Sequence, residues 1–307
     1  MEQKNKIILI AGPTASGKSK LAIKLAKFLN GEIINADSMQ IYKEVSILTS
    51  KPSLLDTKKI KHHLYGFNSV NFFFSTGHWI RLATSIIKEQ WKNGKTPIIV
   101  GGTGLYFKAL TDGFVKIPNI PKKIRSEVRI LQKELGQKIF FNKLILMDPL
   151  VKKFISPTDP QRSIRAYEVK KFTNKSIFEY RKKTKINFNN DYFKKIFINT
   201  PRELLHKNIE KRVEKMFKQG AVNEVKNFIK IKIKKDLSAN KIIGIKEIKD
   251  YLQDKTTLKQ TKELIAQKTR QYAKRQFTWS RGHMKSWNMI YSTNINDLFK
   301  KTINKIS

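Results

Sequence analysis

The sequence predicts an α/β fold, a parallel sheet flanked by helices and carrying a helical insert domain. Three observations lead there. Apolar runs of strand length alternate with amphipathic helical stretches over the first third of the chain. The first of those runs opens into a glycine-rich loop of phosphate-binding pattern. From about Pro118 the pattern changes to charged helical stretches, until one strand-like run, Lys195-Ile196-Phe197-Ile198-Asn199, returns to the core. The expected division is 1–117 for the first part of the core, 118–194 for the insert, and 195–307 for core completion and C-terminal helices.

Element by element, Ile7 to Ile10 is a continuous apolar run bounded by Gly12-Pro13, which suits a buried parallel strand. Leu21, Ala22, Leu25, Ala26 and Leu29 recur at helical spacing, and Gly31 ends that helix. Glu32 to Ala36 reads as a second strand that delivers Asp37 and Ser38 at its carboxyl end. Ile80 to Trp91 forms a further amphipathic helix, and Thr96-Pro97-Ile98-Ile99-Val100 a strand ending in Gly101-Gly102-Thr103-Gly104. Ligands of such sheets bind beyond the carboxyl ends of the strands, so the glycine loop, Asp37 and Thr103 are expected on one rim. Helix starts are expected at Pro121 and Pro160 in the insert, and Pro201 in the first turn of a later helix. A last apolar stretch runs near Met289 to Tyr291, and the lysine-rich patch from Lys230 to Lys235 reads as a solvated helix end.

The chain has 307 residues, 40% of them hydrophobic, enough for a sizeable core and outside the composition of disorder. Against 63 Lys and Arg stand 24 Asp and Glu, a formal charge of +39 that makes polyanions natural partners. Lys also travels with abundant Ile, Asn and Phe, so part of the surplus reflects a compositional bias. Cysteine is absent, which excludes disulfides, thiolate metal sites and cysteine nucleophiles. Met1-Glu2-Gln3-Lys4 leads straight into the first strand with no secretory region, and no apolar run reaches membrane-spanning length. The expectation is a soluble cytoplasmic monomer with no membrane partner.

Gly12-Pro13-Thr14-Ala15-Ser16-Gly17-Lys18-Ser19 matches the P-loop pattern, whose backbone amides and helix N-terminus surround phosphate oxygens. Lys18 adds a point charge, and Ser19 can hold Mg²⁺. An ordinary ATPase also needs an acid ending a neighbouring apolar strand to organise metal and water. Here the strongest such strand ends in Gly-Gly-Thr-Gly, and the acid in an equivalent place, Asp37, is followed by Ser38-Met39-Gln40. That points to group transfer rather than nucleotide hydrolysis.

These elements, with Asp37-Ser38-Met39-Gln40-Ile41-Tyr42, Gly101 to Tyr106, Gln161-Arg162 with Arg165, and Lys274-Arg275-Gln276-Phe277-Thr278-Trp279, make the chain resemble the tRNA dimethylallyltransferase family from about residue 6 to 281. The resemblance implies a P-loop kinase-like fold. It also implies transfer of a dimethylallyl group from dimethylallyl diphosphate to N6 of the adenosine 3′ of the tRNA anticodon, with Mg²⁺. Residue by residue, Gly12 to Ser19 and Arg212 fall to the diphosphate. Asp37, Ser38, Met39, Gln40, Thr103, Arg125, Gln161-Arg162-Ser163-Ile164-Arg165 and Lys274-Arg275-Gln276-Phe277-Thr278-Trp279-Ser280-Arg281 fall to the tRNA anticodon loop.

An allylic carbon loses diphosphate readily once the leaving charge is neutralised, the work of Lys18, Mg²⁺, the loop amides and Arg212. Asp37 is placed to orient the amine and accept its proton, with a Mg²⁺ ligand or a helix N-cap as competing roles. Thr103 either holds the base or belongs to a local turn. The target base must leave its stack to reach such a pocket. His62-His63 reads as packing or turn rather than metal site. Arg270, Lys274, Phe277 and Arg281 fall on one helical stripe suited to an RNA loop. Five positions depart from the family: Ile245 and Lys246 after Gly244 in place of Tyr-Arg, Leu48 for Gly, Asn208 for Arg, and His78 for an acid. A metabolite kinase and a non-catalytic RNA-binding protein are the rival readings. The first lacks a reason for Asp-Ser-Met-Gln, and the second leaves the P-loop unexplained.

Overall fold

In the computed structural model the described residues are 5–115, 117–181, 184, 186–234 and 237–306; Met1 to Lys4 and Lys235 lie outside them. The first stretch of the core runs β1 (Ile7–Ala11), α1 (Lys18–Phe28), β2 (Gly31–Asn35), α2 (Leu54–Lys59), β3 (His62–His63), α3 (Thr76–Lys92), β4 (Thr96–Gly101) and α4 (Gly104–Thr111). The insert holds α5 (Lys122–Met147), α6 (Val151–Phe154), α7 (Pro160–Thr173) and α8 (Ile177–Arg181). The chain then completes the core with β5 (Phe193–Ile198), α9 (Arg202–Lys218), α10 (Ala221–Lys230), α11 (Ile245–Leu252), α12 (Leu258–His283), β6 (Asn288–Ile290) and α13 (Ile295–Ile306). Two compact units result, residues 1–111 with 188–307, and residues 112–187.

All pairings of the six-stranded sheet are parallel, in the order β3-β2-β4-β1-β5-β6. A parallel sheet needs helical crossovers, and these cover both faces. That is why β1 is apolar at every position: Ile8 and Ile10 face one layer, Ile7, Leu9 and Ala11 the other. The first layer packs Leu21, Ala22 and Leu25 of α1 and Leu298 of α13 on the sheet. The second packs Trp79, Ala83 and Ile87 of α3 with Tyr106, Phe107 and Leu110 of α4. Each fully buried aliphatic side chain contributes roughly 1.5–3 kcal/mol. A third cluster joins α9 to α12 with the loop after β2, through Ile41, Val45, Ile209, Val213, Ile245 and Ile265.

The insert has its own core, in which Phe140, Phe141, Leu144, Val151, Ala166 and Tyr167 pack together. Its long helix α5 breaks at Gly136, whose φ of 68° is left-handed and suits glycine. Pro121 and Asp159 cap α5 and α7, so the expected starts fall within a residue. Pro201 stands at the N-cap of α9, one residue before the first turn.

Strand β3 is the element that the pattern did not offer, since two residues carry no periodicity. His62 and His63 extend the sheet edge beside β2, and His63 Nε2 meets Glu32 Oε2 at 2.7 Å. The pair thus packs as part of the sheet edge. Lys232 and Lys234 beyond α10 are exposed.

The sharpest constraint lies where β4 ends. A Cβ built on Gly101 would stand 2.1 Å from the Ala36 carbonyl oxygen and 2.2 Å from its carbon. Those are backbone atoms of the chain leaving β2, which cannot rotate away. Gly101→Ala is therefore expected to destabilise the protein by about 3 kcal/mol, the upper part of the range for overpacking. A urea titration followed by circular dichroism checks this, and an unchanged midpoint would refute it.

Candidate active site

Three loops meet beyond the carboxyl ends of β1, β2 and β4. The loop after β1, Gly12 to Gly17, wraps toward the N-terminus of α1, with Gly17 (φ 88°) at the N-cap in the left-handed region. Ala15 is left-handed too, at φ 64°, which aims successive amides inward. A Cβ on Gly12 would press on the Ile198 carbonyl oxygen at 3.0 Å, so the loop starts tight against β5. Lys18 folds back and donates to the Pro13 carbonyl at 2.6 Å. Ser19 is exposed at the start of α1.

The loop after β2 is held by Asn35, which is fully buried. Its side chain accepts the Asp37 N–H at 2.8 Å and donates to the carbonyls of Asp37 and Leu64. Its own carbonyl accepts the indole N–H of Trp79 at 2.7 Å. Asp37 Oδ1 accepts the Met39 N–H at 2.9 Å in an Asx turn, while Oδ2 has no hydrogen-bond partner among the described residues. Turns follow Asp37, so it caps no helix. Thr103 reaches across from the end of β4: its hydroxyl accepts the Ser38 N–H at 2.9 Å and donates to Ser38 Oγ at 3.3 Å. The link spans two strand ends and is more than a local turn.

Electrostatics binds these loops into one site. Burial lowers Lys18 from 10.5 to about 7, Asp37 opposing that shift and Arg212 adding to it. Burial likewise lowers Arg212, again opposed by Asp37. Tyr65, Tyr106 and Tyr272 are all raised, first by burial and then by the charge of Asp37, so all three phenols stay protonated donors. Two cations and three phenols thus lie in the field of one carboxylate. Two buried polar atoms here lack partners, Arg212 Nε and Ser16 Oγ. A buried donor without a partner costs roughly 1–3 kcal/mol, so each is a candidate contact for a bound ligand or water.

The sequence matches the IPP transferase family over residues 40–283, and the isopentenyl transferase family over residues 5–65. The chain belongs to the IPP transferase family. It is 52% identical over 301 residues to the tRNA dimethylallyltransferase of Pelagibacter ubique, covering 98% of this chain and 96% of that one. With the tRNA dimethylallyltransferase of Rickettsia felis it shares 45% identity over 277 residues, 90% of each chain. The crystal structure of full-length tRNA isopentenylpyrophosphate transferase from Bacillus halodurans superposes with a TM-score of 0.71 at 32% identity, covering 99% and 96% of the two chains. A eukaryotic dimethylallyltransferase caught acting on tRNA gives 0.81 at 28% identity, covering 95% of this chain and 75% of that one.

Within this family frame, the core brings together Gly12 to Ser19, Asp37, Ser38, Thr103 and Arg212. Met39 packs partly on the apolar cluster around α9, and the Gln40 amide donates to the carbonyls of Thr49 and Ser50. On α12, Lys274, Arg275, Thr278 and Arg281 are exposed. The expected stripe is corrected at Phe277, which turns inward onto Phe197 with ring centroids 5.8 Å apart, and at Arg270, which pairs with Glu210. Ser280 is 2% exposed and bonds the Phe277 carbonyl, so it offers RNA no surface. Trp279 lies partly buried, stacked on His283.

In the insert, Gln161 and Arg162 are exposed on α7, the latter paired with Asp159. Ser163, with no exposed surface, bonds the Asp159 carbonyl and leaves the expected contact set, while Ile164 is half-buried against the insert core. Arg165 pairs with buried Glu168, and Arg125 is half-buried with Nε unpartnered.

The departures find local reasons. Asn208 donates to the Ala15 carbonyl of the P-loop at 3.3 Å. Leu48 packs where a Cβ on Gly244 would stand, 2.7 Å from its Cδ2, and Ile245 is buried in the same cluster while Lys246 is exposed. His78 keeps the capping function at the start of α3, its Nδ1 accepting the Ser75 N–H. Motif reading missed Asn35, Tyr65 and Tyr272, and quoted Tyr106 only as the end of a motif, without a role. A polar residue closing the run Ile33-Ile34-Asn35 was the available signal for the first; Tyr65 and Tyr272 carried none.

Among the described residues no three His, Asp or Glu side chains cluster to hold a metal. Ser19 and Asp37 remain as oxygen donors, a sparse set of the kind that suits Mg²⁺ bound chiefly through phosphate oxygens and water.

The lowered Lys18 has a measurable consequence. Between about pH 7 and 10.5 the unfolded chain holds a proton that folded Lys18 has released. Its contribution to the stability of the ligand-free protein therefore rises with pH through that window. Lys18→Met should flatten the rise, as read from urea midpoints across it. Inorganic pyrophosphate should also draw a proton onto Lys18 at pH 8, seen by calorimetry in buffers of different ionisation enthalpy and lost in the variant.

Proposed function

We propose that the protein transfers a dimethylallyl group from dimethylallyl diphosphate to N6 of the adenosine immediately 3′ of the anticodon in tRNA, releasing diphosphate. The observation that carries this reading is the opposition, on one rim, of a phosphate loop with two half-buried cations, Lys18 and Arg212, and a carboxylate with one free oxygen. The first half suits a leaving diphosphate, the second an entering amine. Relatives named tRNA dimethylallyltransferase support the donor and the class of acceptor. No helix among the described residues is long and apolar enough to cross a membrane.

The reaction breaks the C1–O bond of the allyl diphosphate, its electron pair leaving with diphosphate, and forms a C1–N6 bond from the adenine lone pair. Lys18, Arg212 and the amides of the P-loop bind the departing oxygens and stabilise their growing charge. Asp37 Oδ2 orients the amine and takes its proton as the new bond forms. Thr103 fixes Ser38 and with it the approach of the Asp37 loop. Ser19 would hold Mg²⁺, which when bound supplies further charge neutralisation on the diphosphate. The exposed cations of α12, Lys274, Arg275 and Arg281, supply phosphate contacts that place the loop without reading its sequence. Gln161, Arg162 and Arg125 of the insert are assigned to the same RNA, and the working unit is a monomer.

The test is label transfer from radiolabelled dimethylallyl diphosphate, with Mg²⁺, to unmodified tRNA carrying adenosine 3′ of the anticodon. Incorporation should vanish when that adenosine is replaced and in Lys18→Ala. Asp37→Ala should lower turnover by roughly 10²–10⁴-fold while tRNA affinity stays within about threefold of wild type. Equal losses in both would remove Asp37 from the role of base. No incorporation with several tRNAs would turn the search to a phosphoryl acceptor.

A further inference from the structure

Gln276 was expected on the RNA-facing side of α12, yet it points into the core. Its Oε1 accepts the N–H of Thr14, inside the P-loop, at 2.8 Å. Its Nε2 donates to the carbonyl of Gly102, in the loop after β4, at 3.0 Å. The next residue, Thr103, accepts the Ser38 N–H, and Ser38 follows Asp37. One side-chain amide therefore closes a continuous path of hydrogen bonds from the phosphate loop to the loop of the proton acceptor.

The surroundings are built around that amide. A Cβ on Gly102 would lie 2.1 Å from Gln276 Nε2, so glycine there makes room for this side chain. One turn along α12, the Trp279 ring seats on Gly104, where a Cβ would come within 2.2 Å. One turn back, Tyr272 lies beside Gln276 and in the field of both Asp37 and Arg212. A primary amide offers an acceptor and a donor on one rigid plane, which is what bridging an N–H and a C=O requires. Asparagine would be one methylene short.

We infer that Gln276 is a positioning residue for the transfer step. It sets the distance between the leaving diphosphate on the P-loop and the amine held by Asp37, and touches neither. Transfer between two separately bound substrates depends on that registration, since a misplacement of about 1 Å costs on the order of 10²-fold in rate. Each half-site keeps its own binding groups, so losing the bridge slows reaction without unseating either substrate.

The inference rests on the transferase reading and has its own test. In the label-transfer assay with wild type as reference, Gln276→Met should lower kcat by about 10²-fold. The KM for dimethylallyl diphosphate and the affinity for tRNA should stay within about threefold, and the melting temperature within a few degrees. Gly102→Ala, which pushes the amide off its partners, should reproduce the defect. In a Gln276→Ala background the same Gly102→Ala change should cost little more, because the atoms it meets first are gone. Wild-type turnover in Gln276→Met would overturn the inference. So would losses of both affinities and of melting temperature in step with kcat, or full additivity of the two substitutions. Absence of transfer by the wild type would instead strike the transferase reading.

Discussion

Positive charge held out of water is the condition around which this molecule is organised. Lys18 and Arg212 sit where burial disfavours their charged forms, and the charge of Asp37 offsets part of that cost for both. Such an arrangement is poor for stability and good for an anionic ligand, since the diphosphate of the proposed donor would relieve the cost of both cations. The unpartnered Arg212 Nε and Ser16 Oγ belong to the same account. A fold that spends core positions in this way needs a sheet rigid enough to hold them, and β1, buried on both faces, is its centre.

Rigidity at the rim comes from close backbone approach. Gly101 lets the end of β4 lie against Ala36, Gly102 admits the amide of Gln276, and Gly104 admits the ring of Trp279. These three contacts tie β4 to the exit of β2 and to α12. The same helix presents Lys274, Arg275 and Arg281 to solvent. One helix thereby carries a cationic outer face and an inner face that fixes both halves of the reaction site. Its neighbour α9 brings Asn208 and Arg212 in from the other direction, and the ion pairs Lys262–Glu214 and Arg270–Glu210 span the two helices.

The departures from the family pattern show how packing absorbs a lost polar group. Ile245 replaces an aromatic hydroxyl with an apolar side chain that buries fully beside Leu48, and Leu48 fills the space that Gly244 leaves open. Glu224 anchors that loop, accepting the N–H groups of Ser46, Ile47 and Leu48. The change converts a polar spot into hydrophobic packing and leaves the Lys18–Arg212–Asp37 group untouched.

By itself the sequence determined whatever depends on local pattern. Continuous apolar runs meant strands buried on two faces, and the P-loop spacing meant amides gathered at a helix start. Asp37 and Gly101-Gly102-Thr103-Gly104 at strand ends meant a shared rim. These are short-range consequences of periodicity and backbone chemistry, so they survive without knowledge of what packs on them. Strand β3 escaped because two residues have no period. Only the tertiary structure decided which face of α12 turns inward, because its cations, aromatics and amide sit at spacings that allow more than one facing. Helical spacing put Phe277 with the exposed cations, whereas the pocket beside Phe197 took it inside, and the gap above Gly102 took Gln276. Ser163 and Ser280 were drawn under their own helices in the same way. Side-chain direction is settled by the neighbour that offers burial or a hydrogen bond, and for these residues that neighbour lies in another element or in the next turn of the helix.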